Sequence, residues 1–282
     1  MKIAAVTILF NPDKIFLERI KSYAPFVDKF YLIDNSDKGF FKHEADLANP
    51  SIKYITNQQN EGIAKPLNSA ARMAIAEGFD WLLTMDQDSS FADGDFLKYI
   101  NCILNYDMRS EVGMFGVEHD SRKNIYHDCH FDFISHLITS GSLLNLKVYQ
   151  ATNGFDENLF IDHVDHDFCL QVLSGGFKIM KLNNILLDHK IGSTSKNISF
   201  KSFEKTNRTL HPPLRMYYIL RNYLYLKKKY KDQFVKEFEE ITTGVKNSIK
   251  NNLLYNKERG SVLKYIYMAI RDFRKGKMGK LN

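Results

Sequence analysis

The chain of 282 residues is 44% hydrophobic and 26% charged, which excludes a disordered or collagen-like protein and allows one large core or two modest ones. Its net charge of +6 is unevenly spread, because residues 1–200 contain 19 Lys and Arg against 26 Asp and Glu, whereas residues 201–282 contain 20 against 7. An acidic body with a basic end indicates one part that does chemistry and another that touches an anionic partner.

Apolar runs alternate with amphipathic segments through the first 106 residues. The predicted strands cover residues 3–10, 29–35, 52–56 and 81–86, and the predicted helices cover residues 11–24, 62–77 and 94–106. Asn11 as N-cap and Pro12 at the first helical position open the first of these helices. The alternation predicts an α/β fold with a mostly parallel sheet. Beyond residue 110 we expect shorter strands, and then a helix over residues 165–173.

The chain changes character near residue 210. After that point Leu and Tyr residues recur at helical spacing, and Lys and Arg occupy much of the remainder. We therefore predict a domain over residues 1–210 and a basic helical region over 211–282. Its helices are expected at residues 212–229, 231–252 and 260–274.

The three cysteines, Cys102, Cys129 and Cys169, are odd in number and widely spread. They match neither a zinc ribbon nor a secreted disulfide framework, so a reducing compartment fits best. The apolar run at residues 3–10 is half the length of a membrane span and lacks the flanks of a signal peptide. We expect a cytoplasmic chain.

Asp86-Gln-Asp88 directly follows the fourth predicted strand. If the extended geometry continues, both carboxylates point to one side, at the sheet edge where open α/β folds bind ligands. Such oxygen ligands suit Mg²⁺ or Mn²⁺, and the ion would in turn hold a diphosphate. The alternative is a solvated turn in which an Asp caps the next helix.

A second acidic cluster surrounds the predicted helix at residue 165. It contains Asp162, His163, Asp165, His166 and Asp167. Helix capping accounts for one carboxylate but not for three, so one member is a candidate general base whose pKa is raised by crowding or burial. The two histidines alone offer too few ligands for zinc.

Two further elements carry polar residues. His189 ends an apolar strand, where a single histidine is more often structural than a ligand. Arg215 and Arg221 lie on a helix rich in tyrosine. Their guanidinium groups suit phosphate oxygens. An equally good interpretation is that they form the basic surface of a helix whose aromatic residues pack in the core.

In this order, the motifs resemble those of family 2 glycosyltransferases with a GT-A fold, most closely the rhamnosyltransferase-like branch that builds bacterial cell-surface polysaccharides. The likeness covers residues 3 to about 222. It implies a nucleotide-sugar-binding fold with a mostly parallel central sheet and a C-terminal helical extension.

The resemblance also implies roles for individual residues. Asp165 would be the catalytic base, although Val164 stands where the family usually has Glu. The acceptor would lie beside Asp162 and His163. The metal would be held by Asp88, His189 and Asp86. The donor nucleotide, diphosphate and sugar would be bound by a larger set, namely Thr7, Asn11, Asp34, Asn60, Gly62, Asp86, Ser140, Gly141 and Arg221.

The implied reaction is an inverting, metal-dependent transfer with Mg²⁺ or Mn²⁺. The donor favoured by the resemblance is dTDP-rhamnose, with UDP-hexoses open, and the acceptor is a hydroxyl of a growing cell-surface polysaccharide or lipid-linked oligosaccharide. The basic region would then contact the inner face of the membrane.

Two rivals remain at this point. A haloacid-dehalogenase-like phosphohydrolase also has a strand followed by DxD, but on its first strand rather than its fourth. A nucleic-acid-binding module would use the basic end, yet the acidic body would repel a polyanion and no known RNA or DNA motif is present, so we expect no nucleic acid. Motifs of dinucleotide enzymes, P-loop NTPases, α/β-hydrolases and zincins are absent from the sequence.

Overall fold

The computed structural model describes residues 1–40, 51–119, 128–189, 194–198 and 205–281. The chain forms two compact units. The first comprises Met1–Phe160 and Val164–His189, and the second comprises Ile161–His163 and Lys190–Asn282. This division falls after His189, about twenty residues before the boundary expected from the change in charge.

The first unit is built on one large sheet. Its strands are β1 (Ile3–Leu9), β2 (Lys29–Asp34), β3 (Ile52–Thr56), β4 (Trp81–Asp86), β5 (Ser89–Phe91), β6 (Val112–Glu118), β7 (Phe131–Phe133), β8 (Ser142–Asn145) and β9 (Lys178–His189). Their order in the sheet is β3-β2-β1-β4-β8-β6-β9-β5, with β7 paired to β9.

The long strands of this sheet run mostly in one direction. β1 pairs in parallel with β2 and β4, β2 with β3, and β6 with β9. β8 is inserted antiparallel between β4 and β6, and the short strands β5 and β7 run antiparallel to β9. The predicted mostly parallel α/β sheet is therefore confirmed, and the continuous apolar runs of β1 and β4 are buried as such a sheet requires.

Five helices accompany the sheet in the described part of this unit. They are α1 (Phe16–Ile20), α2 (Ala64–Ala76), α3 (Asp95–Leu104), α4 (Leu146–Ala151) and α5 (Val164–Ser174). α2 packs on β1 and β4, and α5 packs on β6 and β9. The small buried side chains of α2, such as Ala70, Ala71 and Ala74, allow this helix to lie close to the strands.

Two expectations for this unit were wrong. The helix expected from residue 11 begins only at Phe16, because Asn11 has a left-handed backbone with φ 44° and its N–H donates to Oγ of Ser36 rather than opening a helix. The strands beyond residue 110 are not uniformly short, since β9 has 12 residues.

A disulfide joins Cys102 of α3 to Cys129, and Cys169 is free and buried. Counting cysteines excluded a framework of several bridges, but it said nothing about a single bond between residues 27 apart that the fold brings together.

The second unit is mainly helical. It contains the antiparallel pair β10 (Thr194–Ile198) and β11 (Lys205–Thr209), followed by α6 (Pro213–Tyr230), α7 (Val235–Tyr255) and α8 (Arg259–Arg274). α6 packs against both α7 and α8, and β11 packs against α7, which groups the strand pair with the helices. The three predicted helices are thus present within a few residues. Among the helices of the described residues, none has the length and apolarity to cross a bilayer.

Candidate functional site

Two acidic side chains mark one edge of the sheet. Asp34 ends β2 and lies opposite Leu9, and Asp86 ends β4 and lies opposite Ile8 of the strand between them. Because neighbouring strands are about 4.8 Å apart, the two residues are separated by about 10 Å. This edge holds the carboxyl ends of β1, β2 and β4, where open α/β sheets bind ligands.

The Asp86-Gln-Asp88 segment turns rather than continuing as a strand. β4 ends at Asp86, so the expected same-side placement of the two carboxylates does not apply. The Gln87 side chain is bound to the main chain of Phe10, accepting its N–H at 2.9 Å and donating to its carbonyl at 3.2 Å. All three residues of the segment remain partly exposed, with Gln87 fixing the turn against the end of β1.

The register of β5 brings His189 to the same turn. Ser89, the residue after Asp88, lies opposite His189 of β9 in the antiparallel ladder. The backbone of His189 is therefore next to the Asp86–Asp88 turn, as a shared metal site requires. Its side chain lies outside the described atoms.

Ser140 and Gly141 are bonded directly to β4. Oγ of Ser140 accepts the N–H of Asp86 at 3.2 Å and donates to Oγ of Ser89 at 2.8 Å. The N–H of Gly141 donates to the carbonyl of Thr84 at 2.9 Å. The family resemblance implies that these two residues lie beside the donor sugar, and the structure brings them to the Asp86 end of β4.

Three predicted nucleotide contacts differ in their exposure. Thr7 is fully buried and its hydroxyl is hydrogen-bonded to that of Tyr23 at 2.9 Å, so its side chain faces the core rather than a ligand. Asn11 is exposed. Asp34 is 1% exposed, which leaves no surface for the predicted contact with a base.

Asp34 instead organises the loop that follows it. Oδ1 accepts the N–H of Ser36 at 2.8 Å, and Oδ2 accepts the N–H of Phe40 and the hydroxyl of Tyr54, each at 2.6 Å. A carboxylate with this set of donors fixes the chain at the end of β2.

Gly62 lies in close contact with the chain that leads to α5. Its φ is +80°, and a Cβ at this position would lie 2.3 Å from the carbonyl oxygen of Phe160. The side chain of Asn60 accepts the N–H of Gly62 at 3.0 Å, and the N–H of Ile63 donates to Phe160 at 2.6 Å. Only glycine fits both the conformation and the space.

Asn68 of α2 makes a second connection to that chain. Its amide group donates to the carbonyl of Phe155 and to Glu157, at 2.8 and 2.9 Å. Its carbonyl oxygen accepts the hydroxyl of Tyr149 and the N–H of Phe155. Gly62 and Asn68 together therefore fix the chain that leads to α5.

Asp165 lies in the first turn of α5 between two histidines. Nδ1 of His166 is 3.1 Å from Oδ1, which also accepts the N–H of His166 at 2.8 Å. Nε2 of His136 is 3.3 Å from Oδ2. The Asp165 side chain is 22% exposed, so the cluster is reachable from solvent.

The pKa of the Asp165 carboxyl is shifted in the direction opposite to our prediction. Burial would raise it, but the charge of His166 and the polar contacts of His136 and His166 outweigh burial and hold the pKa well below its usual range. The sequence showed the acidic neighbours Asp162 and Asp167, whereas the groups that touch the carboxyl are imidazoles.

The sequence analysis missed His136. It lies 29 residues before Asp165, and the only sequence signal is that it immediately precedes the apolar run leading to Ser140. The next residue, Leu137, is held in place by Cys169 of α5, whose Sγ accepts the Leu137 N–H at 3.4 Å. Leu137 also fills the space left by Gly116 of β6, where a Cβ would lie 2.4 Å from its side chain.

Within the described residues, His136, Asp165 and His166 are the group of three whose ligand atoms lie within 4.8 Å of one another. The two imidazole rings are stacked, with centroids 3.7 Å apart and planes 23° apart. The lone pair of an imidazole nitrogen lies in the plane of its ring. Because the two rings are nearly parallel, their lone pairs point in parallel planes and do not converge on one ion at the bond length of about 2.1 Å that zinc needs. Zinc coordination by His163 and His166 likewise finds no support here.

The segment 136–141 connects the two halves of the site. His136 touches Asp165 at one end, and Ser140 bonds to Asp86 at the other. Four residues span at most about 14 Å. The Asp86 turn and Asp165 are therefore connected through one short segment of the first unit.

Asp162 and His163 belong to the second unit. Both have a left-handed backbone, with φ 62° and 63°, a conformation that is uncommon for residues other than glycine. The side chain of Asn222 donates to the carbonyls of Ile161 and Asp162, and Arg215 donates to Oδ1 of Asp162 through Nε and a terminal nitrogen. Such strain, held in place by specific bonds, is typical of functional loops.

Arg221 does not present its guanidinium group to a ligand. It is 1% exposed, and it donates to the side chain of Asn222, the hydroxyl of Tyr217 and the carbonyl of Gly279. It also stacks on the rings of Tyr217 and Tyr218. The predicted diphosphate contact is therefore replaced by a structural role, which a buried and fully bonded Arg serves well.

Comparison with known proteins agrees with this geometry. The sequence profile of the family described as "Glycosyl transferase family 2" matches residues 9–169, more than half of the chain. The dTDP-rhamnosyl transferase RfbF of Shigella flexneri is 26% identical over 284 aligned residues, which cover 91% of this chain and 92% of that protein.

Solved structures show the same fold. The S. aureus TarS structure with UDP-GlcNAc superposes with a TM-score of 0.59 at 14% identity, covering 98% of this chain and 82% of that one. The structure of GalNAc-T7 with UDP, GalNAc and Mn²⁺ gives a TM-score of 0.58 at 11% identity, covering 98% of this chain and 57% of that one. These likenesses confirm the GT-A fold. The phosphohydrolase and nucleic-acid alternatives are set aside, because the chain belongs to glycosyl transferase family 2 and is a glycosyltransferase that uses a nucleotide-sugar donor.

Proposed function

We propose that this chain is an inverting glycosyltransferase that moves rhamnose from dTDP-rhamnose to a hydroxyl of a growing cell-surface polysaccharide or lipid-linked oligosaccharide. The similarity to a dTDP-rhamnosyl transferase over nearly the whole chain supports this donor. A UDP-hexose is the second candidate, supported by the UDP-GlcNAc in the TarS structure.

One observation carries the proposal: the segment 136–141 joins the Asp86 turn to Asp165. An inverting transfer needs a group that holds the leaving diphosphate and a base on the opposite side of the anomeric carbon. The two carboxylate groups, separated by a short and well-bonded stretch of chain, supply these two requirements.

The Asp86–Asp88 turn is the proposed metal site. Asp88, Asp86 and His189 would hold Mg²⁺ or Mn²⁺, and carboxylate and imidazole are ligand types that these ions accept. The position of the His189 backbone opposite Ser89 fits this set. When bound, the ion neutralises the negative charge that grows on the departing diphosphate.

Asp165 is the proposed base. Its carboxylate takes the proton of the acceptor hydroxyl while that oxygen forms a bond to the anomeric carbon from the face opposite the diphosphate. The bond between the anomeric carbon and the diphosphate oxygen breaks, and its electron pair leaves with the diphosphate. The configuration is inverted in this single displacement. Ser140 and Gly141, which are buried, would hold the Asp86 end of β4 in place beside the sugar. Asn11, Asn60 and Gly62 would border the nucleotide.

The test is a panel of nucleotide sugars. Each donor is added to the full chain with Mn²⁺ or with EDTA, and the thermal midpoint is measured, since a ligand that binds only the folded state raises it. We expect the largest rise with dTDP-rhamnose and Mn²⁺, followed by rhamnosyl transfer to a lipid-linked acceptor. If only a UDP-hexose stabilises the chain, the donor is that UDP-hexose rather than dTDP-rhamnose. If no nucleotide sugar raises the thermal midpoint, the proposal is contradicted.

The basic region 211–282 is proposed to contact the inner face of the membrane, which would keep a cytoplasmic enzyme near a lipid-linked acceptor. Lys227, Lys228 and Lys229 are exposed together at the end of α6. On α8, Leu263 is 57% exposed and Tyr267 is 67% exposed. Exposed cations on one helix, together with exposed apolar and aromatic side chains on another helix of the same region, suit an anionic lipid surface.

A further inference from the structure

The proposed reaction assigns no role to the two histidines that contact Asp165. Their rings stack at 3.7 Å, and each directs a ring nitrogen to a different oxygen of the carboxylate. The fold positions His136 by anchoring Leu137 to Cys169 and against Gly116. A simple ion pair at the surface would not need its histidine to be fixed by buried neighbours in this way.

The stack has a simple electrostatic consequence. One added proton is stabilised by the adjacent carboxylate, whereas two cationic rings in face-to-face contact repel each other. We refer to the carboxylate and the two rings as one unit, in which the contact between the rings disfavours a second positive charge.

Nε2 of His136 shows where that proton can go. The atom is buried and makes no hydrogen bond of good geometry within the described residues, although Oδ2 of Asp165 is 3.3 Å away. An imidazole nitrogen and a carboxylate oxygen that face each other at this distance are both satisfied when a proton lies between them.

We propose that the proton removed from the acceptor hydroxyl is stored on the stacked His136 and His166 rings, with Asp165 passing it to them. The inference rests on the proposed function and deepens it. The acceptor O–H bond breaks as its oxygen bonds to the anomeric carbon, the diphosphate leaves with its electron pair, and the proton moves through the carboxylate to a ring nitrogen. Water takes the proton after the product leaves. Asp165 is the catalytic residue, and the two histidines act through it.

Few other titratable groups face this unit in the described structure. Asp167 is buried and accepts a hydrogen bond from Gln171 at 2.6 Å. The Cys169 thiol has its pKa raised to about 12, by burial and then by the charges of Asp165 and Asp167, so it stays neutral over the range of the test. The pH response is therefore compared between the wild type and the variants, because groups outside the unit, such as the proposed metal ligand His189, are present in both.

The test compares the pH profile of kcat for the full chain with those of His136→Gln and His166→Gln. Imidazoles titrate between about pH 5 and 8, and ordinary carboxylates near pH 4. If the rings store the proton, the wild-type activity falls within the imidazole range as the pH is lowered. Each variant then loses about 10-fold or more of its plateau kcat, and the acid limb moves to lower pH in the double variant His136→Gln/His166→Gln, which has no ring left to take the proton.

A carboxylate that acts alone predicts the opposite shift. Removing a ring that holds the pKa of Asp165 down would raise that pKa, so the acid limb would move to higher pH. This outcome would overturn the inference, and so would an unchanged limb. His130→Gln is the matched control, because His130 also lies 3.3 Å from a carboxylate, that of Asp132, but outside the cluster. Its profile should equal that of the wild type.

A second readout does not depend on turnover. In protein with ¹⁵N-labelled histidine, assigned through the two variants, the rings of His136 and His166 should titrate over the same pH interval in the wild type. Independent titration would overturn the inference. Failure of every nucleotide sugar in a transfer assay would instead overturn the proposed function while leaving this titration result intact, so the two failures are distinguishable.

Discussion

The N–H of Asp86 donates a hydrogen bond to Oγ of Ser140 at 3.2 Å, which ties the end of β4 to the segment that also carries His136. His136 in turn lies against Asp165. The proposed donor side and the proposed base are therefore fixed relative to each other by one short stretch of chain within the first unit. Movement of this stretch would misplace both.

Asp165→Asn should lower turnover by about 10²- to 10⁴-fold, because the amide cannot take the proton of the acceptor hydroxyl. Donor binding should be nearly unchanged, since the residue acts on the acceptor. Single-turnover transfer and the thermal shift with donor and Mn²⁺ measure the two quantities separately. Asp167→Asn, two residues along α5, is the control and should keep turnover near that of the wild type. Near-normal turnover in Asp165→Asn would remove this residue from the role.

Asp88→Asn should abolish the Mn²⁺-dependent part of donor binding, because the amide removes the anionic oxygen that the proposed metal site needs. The thermal shift produced by donor with Mn²⁺ should then equal the shift with EDTA. Asp93→Asn provides the comparison, since Asp93 is an exposed acidic residue shortly after the same turn. If Asp88→Asn retains the full Mn²⁺ response, the metal is bound elsewhere.

Gly62→Ala should unfold more easily than Gly78→Ala. Both glycines have a left-handed backbone, with φ +80° and +77°, so each substitution costs about 1–2 kcal/mol of conformational energy. Only at Gly62 would the new Cβ collide with the carbonyl of Phe160, whereas nothing lies within 4 Å at Gly78. We therefore expect the free energy of unfolding, measured with urea, to be lower by about a further 1–3 kcal/mol in Gly62→Ala than in Gly78→Ala. If the two variants have equal urea midpoints, the collision of the new Cβ with the Phe160 carbonyl does not destabilise the fold.

The elements of the fold follow well from the sequence, because long apolar runs and helical periodicity are local signals. β1, β2, β3 and β4 and the three C-terminal helices lie within a few residues of prediction. The short α1 does not, since the left-handed Asn11 follows from a contact with Ser36, a residue 25 positions away. Local preference for a cap was overruled by that tertiary bond.

The sequence predicted the residues of the candidate site only where they belong to a recognisable motif. Asp86, Asp88 and Asp165 stand in recognisable patterns, and the register of β5 with β9 supports His189. His136 has no motif, and its proximity to Asp165 depends on how Leu137 fits beside Gly116. The direction of a pKa shift depends on such neighbours, which explains why that prediction failed.

The role of Arg221 could not be inferred from residue type alone. A helical Arg near tyrosines suits either a phosphate or an aromatic core, and the choice depends on burial. Arg221→Lys tests the choice, because a lysine keeps the charge but cannot reach Asn222, Tyr217 and Gly279 together. We expect a loss of about 2 kcal/mol or more in stability and an unchanged donor KM. Arg259→Lys, at an exposed position, should change neither; a raised donor KM in Arg221→Lys would restore the diphosphate contact.

The membrane proposal is tested by co-sedimentation of the full chain with vesicles that contain anionic lipid. Replacing Lys227, Lys228 and Lys229 by Gln removes three exposed cations, each worth about 1 kcal/mol near an anionic surface, so binding should weaken by about 100-fold. The triple variant at Lys2, Lys14 and Lys147 loses the same charge from exposed positions of the first unit and should bind like the wild type. Equal weakening in both would mean that net charge alone, rather than the helical region, governs the contact, because diffuse attraction does not depend on where the cations lie.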